Sequence, residues 1–243
     1  MRASERAYEV LRSEILDWSL EPGTPLAEVE LSLRLGISRT PVREALARLI
    51  TDGLAEPVGG RGLVVSPFSG SDVVDVFEVR SALERQAAQL AARRRDVAVF
   101  LEIREALRRA PQLLALGAPG MAEYDETVAR FDAAIDLSVE NAYLVAALES
   151  ARTHAARIRR LSHDDPQRLL DAAHEHLLIV DAIIDGDAQL AADATSVHLT
   201  RSLHWVQASL RSDHPEAAAA GSASPPELAR AAAGTRPTKN GAA

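Results

Sequence analysis

From residue 38 to residue 54 the chain reads SRTPVREALARLITDGL, and its apolar positions recur at the spacing of one helix face. Val42, Ala45, Leu46, Leu49 and Ile50 fall at i, i+3, i+4, i+7 and i+8, which predicts a helix with that stripe buried. Ser38 or Thr40 can cap its start, Pro41 suits the first turn, and Gly53 supplies the stop. Upstream, Tyr8, Leu11, Ile15 and Trp18 lie roughly on one side of a first helix over 4–18. Pro22, Gly23 and Pro25 end it, AEVELSLRL predicts a short second helix over 27–35, and Gly36-Ile37-Ser38 turns the chain into the third. Beyond it, the β-prone pieces AEPV and LVVS flank Gly59-Gly60-Arg61-Gly62, the pattern of a β-hairpin with a glycine-rich tip. Three helices and a hairpin make a winged helix-turn-helix, expected over residues 1–67.

Pro67–Ser71 reads as a hinge, and from 72 to 211 the period is helical throughout. Helices are expected at 72–93, 96–116, 121–138, 141–161, 166–185 and 187–211, with no strand pattern, so this stretch forms an all-α bundle. Residues 212–243 are rich in Ala, Gly, Ser and Pro without aliphatic periodicity, the composition of a disordered tail. The fold class is mostly α in two parts.

Composition narrows the function. The 243 residues are 47% hydrophobic, enough for substantial cores, and the formal net charge of −8 requires any nucleic-acid role to come from a local patch. The chain has no cysteine, which removes disulfides, thiolate catalysis and Cys-based zinc sites. Nothing approaches the roughly 18 consecutive apolar residues of a membrane span. MRASERAYEV lacks the apolar stretch of a signal peptide, so a cytoplasmic location is expected.

With the stripe of the third helix buried, Arg39 and Arg43 share the opposite face, one turn apart. They sit at the helix N-terminus, the unfavourable end of the macrodipole for a cation. No carboxylate is expected to pair with both, although Glu44 adjoins Arg43. A solvated face is one reading of this pair; a missing anionic partner is the other.

Residues 22–62, PGTPLAEVELSLRLGISRTPVREALARLITDGLAEPVGGRG, resemble the GntR-type bacterial transcription regulators, in the FadR branch whose effector domain is the FCD domain. VRSALERQAAQLAA (79–92), ENAYL (140–144) and EHLLIVDAIIDGDAQLAA (175–192) continue the resemblance through the bundle. It implies a winged helix that binds a palindromic DNA operator as a homodimer. It also implies a dimerising FCD domain over 72–211 that takes a small-molecule effector, making the chain a ligand-responsive repressor. Arg39 and Arg43 would then face base edges in the major groove, where arginine bonds guanine bidentately. Thr40 would reach phosphate or a base, Arg34 the DNA backbone, and Arg61 with Gly62 the minor groove or its flanking phosphates. Arg48, farther along, is expected in solvent.

In the FCD pattern a metal is held by an Asp and a His one turn apart and by two later histidines. His176 and His198 occupy the later positions, but Val128 and Asp132 stand where the Asp and the first His are usual. Asp132, His176 and His198 would still suit Zn²⁺, Ni²⁺ or Mn²⁺. Alternatively, the histidines contact an organic ligand directly, or are a structural pair. Arg80 either points into the cavity toward a ligand carboxylate or pairs with Glu84 at i+4. Asn141 is expected to cap the following helix, and His154, His163, His204 and His214 to be surface or capping residues. The effector class implied is an organic or sugar acid. Two other functions fit parts of this pattern: a metal-dependent hydrolase or lyase built on Asp132, His176 and His198, and a binding protein that has lost DNA recognition.

Overall fold

The computed structural model describes residues 2–60, 62–67, 69–159 and 165–213. The N-terminal part runs α1 (Ala3–Leu16), α2 (Glu28–Leu35), α3 (Arg39–Thr51), β1 (Ala55–Val58) and β2 (Gly62–Val65). The strands form a two-stranded antiparallel hairpin in which Ala55 faces Val65 and Val58 faces Gly62. Gly36 takes the left-handed conformation at the end of α2 (φ 64°), and Ile37 N–H closes back on the Ser32 carbonyl at 3.2 Å. That tight reversal requires glycine and sets α3 across α2. Leu11, Ile15, Val42, Leu49, Leu54 and Val65 form the core of this part. A fully buried leucine such as Leu49 contributes about 1.5–3 kcal/mol over an exposed one. The expected α3 stripe holds at Val42, Ala45, Leu46 and Leu49, but Ile50 is 39% exposed. The ground covered by α1 is narrower than the five-residue stripe.

The second part is all helical: α4 (Gly70–Arg94), α5 (Val97–Arg108), α6 (Ala110–Leu114), α7 (Ala118–Val139), α8 (Ala142–Arg159), α9 (Pro166–Asp185) and α10 (Ala188–Asp213). α4 begins two residues earlier than its periodicity suggests, because Ser69 and Asp72 form a reciprocal capping box that starts the helix inside the expected hinge. The single helix expected over 96–116 is two. Pro111 has no N–H and its ring excludes the Leu107 carbonyl, so α5 ends at Arg108 and a short α6 follows. Asn141 does cap α8, its Oδ1 accepting from the N–H groups of Tyr143 (3.1 Å) and Leu144 (3.2 Å).

α4 lies along α10, α9 packs on α10 and α5, and α7 closes the other side. Phe100, Leu107, Phe131, Leu148, Val180 and Ile183 anchor the main core. Val73, Phe77, Ile158, Leu199, Val206 and Leu210 anchor a second cluster among α4, α8 and α10. The two parts meet at α8. Arg157 donates to the Ser66 carbonyl, Arg12 Nη2 donates to Thr153 Oγ1 at 3.0 Å, and the His154 ring lies against Gly53. His154, expected as a surface or capping residue, is a half-buried residue of this seam, hydrogen-bonded to the backbone of Asp52 at the end of α3. No described helix is long and apolar enough to cross a membrane. The tail expected from residue 212 lies outside the described residues from 214 onward, as do Arg61, His163 and His214.

Candidate nucleic-acid interface and ligand cavity

Ser38 holds the extended N-cap position of α3, though its side chain caps nothing, and Arg39, Thr40 and Arg43 stand exposed on the first turns. The arginines do have a carboxylate between them, contrary to expectation. Glu28 accepts from Arg39 Nε at 2.7 Å and from Arg43 Nε and Nη2 at 3.1 and 2.9 Å. The hydrogen bond from Arg39 leads in holding the Glu28 carboxyl below its usual range. Both guanidiniums remain largely in solvent, at 60% and 67% exposure, where such pairs form and exchange readily. Arg34 is paired bidentately with Glu14 at 2.8 and 2.7 Å. Arg48 is not simply solvated, because its guanidinium stacks on the Tyr8 ring, 3.7 Å from the centroid. Gly62 is exposed at the start of β2, beside Arg61, which lies outside the described residues.

In the bundle, Arg80, Asp132, His176 and His198 converge as expected. Two adjoining cavities share Arg80, Val128, His176 and His198. The first, of about 70 Å³, adds an apolar wall that includes Phe77, Tyr124 and Leu169, and also Arg168 and Ser202. The second, of about 30 Å³, adds Glu84, Asp132 and Arg152. One water needs roughly 10–15 Å³ on this measure, so the space suits a small, partly polar molecule.

The polar groups are tightly interlocked. Arg80 is buried and donates to Glu84 Oε1 at 2.7 Å, the i+4 pair that its spacing allows. Burial alone pushes the Glu84 carboxyl up, but the charge and hydrogen bond of Arg80 outweigh it and hold the group below its usual value. Glu175, only 2% exposed, accepts from Arg168 Nη1 and Nη2 at 3.2 and 3.0 Å and from His198 Nδ1 at 2.8 Å. Burial again works upward, and the bonds from His198 and Arg168 win, keeping Glu175 ionised. A carboxylate can only accept, so His198 Nδ1 carries a proton and the ring's Nε2 presents a lone pair when neutral. The His176 and His198 rings are 4.5 Å apart between centroids, and Phe131 packs 5.4 Å from His176.

Comparison with known proteins decides what this arrangement belongs to. Residues 3–65 match the model for bacterial regulatory proteins of the gntR family, and residues 75–201 match the FCD domain. The chain belongs to the GntR family. Among its relatives, the "Probable D-xylose utilization operon transcriptional repressor" of Paenarthrobacter nicotinovorans is 32% identical over 76% of this chain and 80% of its own. The HTH-type transcriptional repressor RspR of Escherichia coli K12 is 28% identical over 81% of this chain and 85% of its own. Among solved structures, E. coli McbR/YncC superposes with a TM-score of 0.70 at 19% identity, over 85% of this chain and 97% of that one, a likeness of fold. A GntR regulator from Rhodococcus sp. RHA1 gives 0.63 at 25% identity, over 84% and 97%.

This GntR-family protein is a transcription regulator and not an enzyme, so the hydrolase or lyase reading of Asp132, His176 and His198 falls. Its family binds DNA through the winged helix, and FCD domains take small-molecule effectors. The residues present do not fit a metal well. Among the described residues, no group of three or more His, Asp or Glu is disposed to hold an ion. Asp132, the one carboxylate of the expected set, lies 3.9 Å from Arg152 Nη2, and Val128 offers only methyl groups at the fourth position. Glu84 was foreseen only as the i+4 partner of Arg80, and Arg152, Arg168 and Glu175 were not singled out in the sequence. Their signal was present: Arg152 sits one turn from Leu148 on the buried stripe of α8, and Glu175 lies among buried residues of α9. A charge on an apolar stripe marks either a buried pair or a cavity wall.

Proposed function

We propose that this protein is a homodimeric repressor of the FadR branch, acting in the cytoplasm on a palindromic operator, with operator affinity modulated by a small carboxylate in the bundle cavity. The observation that carries the DNA half is the exposed Arg39 and Arg43 pair on the first turns of α3, with Thr40 between them. In this reading the arginines read guanine edges, Arg34 and the α3 N-terminus meet phosphates, and Arg61 with Gly62 enters from the wing. One winged domain covers a half-site, so specific affinity calls for two copies, with the helical domain as the dimer interface. Arg80, Arg168 and the two histidines beside an apolar wall support a small organic or sugar acid as effector. Relatives bearing repressor names support repression as the output.

The test begins with an operator selected from random DNA by the wild-type protein. Arg43→Ala should lose specific binding in gel shifts while keeping fold and assembly, and Arg39→Ala should relax specificity at one base pair per half-site. Light scattering should show a dimer. Wild-type affinity for the selected site in Arg43→Ala would remove the recognition-helix assignment.

A further inference from the structure

We infer that the guanidinium of Arg152 is the resident cation of the second cavity, serving in place of a divalent metal, so that this bundle receives a small organic anion without a metal ion. This rests on the effector reading of the cavity. Arg152 reaches inward from α8, 15% exposed, and donates from Nη1 to Asp136 Oδ2 at 2.6 Å. Its Nη2 faces Asp132 at 3.9 Å, an ion-pair separation too long for a hydrogen bond. The charge thus sits on the carboxylate that an ion would need, beside His176, His198 and Arg80.

Electrostatics and chemistry agree with the exchange. An arginine keeps its charge at every relevant pH, and here Asp132 and Asp136 favour that charge despite burial. An ion placed among Asp132, His176 and His198 would lie close to this fixed cation and compete with it for Asp132. Val128 offers it no compensating oxygen. The guanidinium can do for an anion what an ion would do: offer a fixed positive centre with directed donors. Arg152 lines the cavity, and its Nη2 is held to Asp132 only at ion-pair distance, so an incoming carboxylate would take hydrogen-bond distance there without displacing Asp136. The apolar wall of the adjoining cavity would take the rest of the molecule.

The experiment uses the full-length chain purified without chelator, with elemental analysis, thermal melting and calorimetry. The wild type should hold far less than one metal per chain, and its melting temperature should not respond to EDTA, Zn²⁺ or Ni²⁺. Formate, acetate and succinate serve as anion probes on the metal-free protein. At least one should raise its melting temperature, and Arg152→Gln should weaken that probe roughly ten- to a hundredfold, the factor for one charge-assisted hydrogen bond. Arg152→Gln should also gain affinity for Zn²⁺ as Asp132 is freed. Arg152→Gln with Asp136→Asn removes the buried charge pair together and serves if the single variant does not fold. Stoichiometric, EDTA-sensitive metal in the wild type overturns the inference, as does stabilisation by none of the three anions. Unchanged anion and metal binding in both Arg152 variants overturns it as well. An anion that stabilises the wild type and both Arg152 variants alike leaves the effector reading standing and removes only this inference, whereas stabilisation by none of the three removes both.

Discussion

Arg157, on the bundle helix α8, donates a hydrogen bond to the main-chain carbonyl of Ser66 at the end of the wing hairpin. Burial lowers the Arg157 pKa to about 10, with Glu56 only partly offsetting it, so the seam holds a costly charge. The same helix carries Arg152 into the cavity and rests His154 against Gly53. One continuous helix therefore touches both the ligand space and the DNA-binding part.

His154 gives this seam a pH dependence. Burial first, and then the charge of Arg157, lower its pKa from 6.5. A histidine with a lowered folded value binds protons more readily when unfolded, so its contribution falls as pH drops through 6.5 toward the folded value. Denaturant melts from neutral to mildly acid pH should show stability falling, with a shallower fall in His154→Gln. An identical slope in the two proteins would remove His154 as a contributor.

Glu28 offers a second test at the other face. In the free protein it holds Arg39 and Arg43 together, and near DNA its charge repels phosphate. Glu28→Gln should raise affinity for arbitrary duplex DNA, narrow the gap between operator and non-operator sequences, and steepen the salt dependence. Its melting temperature should not move, because the pairs are exposed. Weaker binding to every sequence would show instead that Glu28 is needed to orient the arginines.

These residues mark how far the sequence could be read. The α3 stripe was legible because helical period is local, and so was the convergence of Arg80, Asp132, His176 and His198, though only through the family resemblance. The Glu28 clamp was not legible, since its partners lie 11 and 15 positions away and meet only after Gly36 reverses the chain. Ile50 was misassigned because periodicity marks a face but not the width of what covers it. The break at Pro111 was legible from its chemistry alone and was overridden by the apolar period around it. Arg152 belongs to a third kind: its place on an apolar stripe was visible, but its role depends on Asp132 and Asp136 from another helix.

Glu175 should be the most sensitive buried charge. Removing one partner of a buried network leaves the others uncompensated, which typically costs about 3–5 kcal/mol. Glu175→Gln keeps the shape and some hydrogen bonding, so a loss near the lower end, about 3 kcal/mol, is expected in urea melts at neutral pH. Its lowered folded pKa means the stabilisation is present above the unfolded value of 4.5 and is lost as pH falls through the folded value. The gap between wild type and variant should therefore close in acid. A gap that stays constant to low pH would assign the loss to packing.

Gly53 tests the seam from the other side. It ends α3 with φ of 68°, and a Cβ there would sit 3.1 Å from His154 Cε1. Gly53→Ala therefore carries two penalties, a left-handed backbone costing roughly 1–2 kcal/mol and a crowded contact with α8. His154→Ala should relieve the second and leave the first. A double-mutant cycle in stability isolates that coupling, and the predicted sign is positive: the double variant is more stable than the two single losses summed. Ligand response read by operator binding should weaken in Gly53→Ala if α8 transmits through this contact, and recover in the double variant. Full additivity in stability would show that the ring simply moves aside, leaving the hydrogen bond from Arg157 to Ser66 as the firmer link between cavity and DNA.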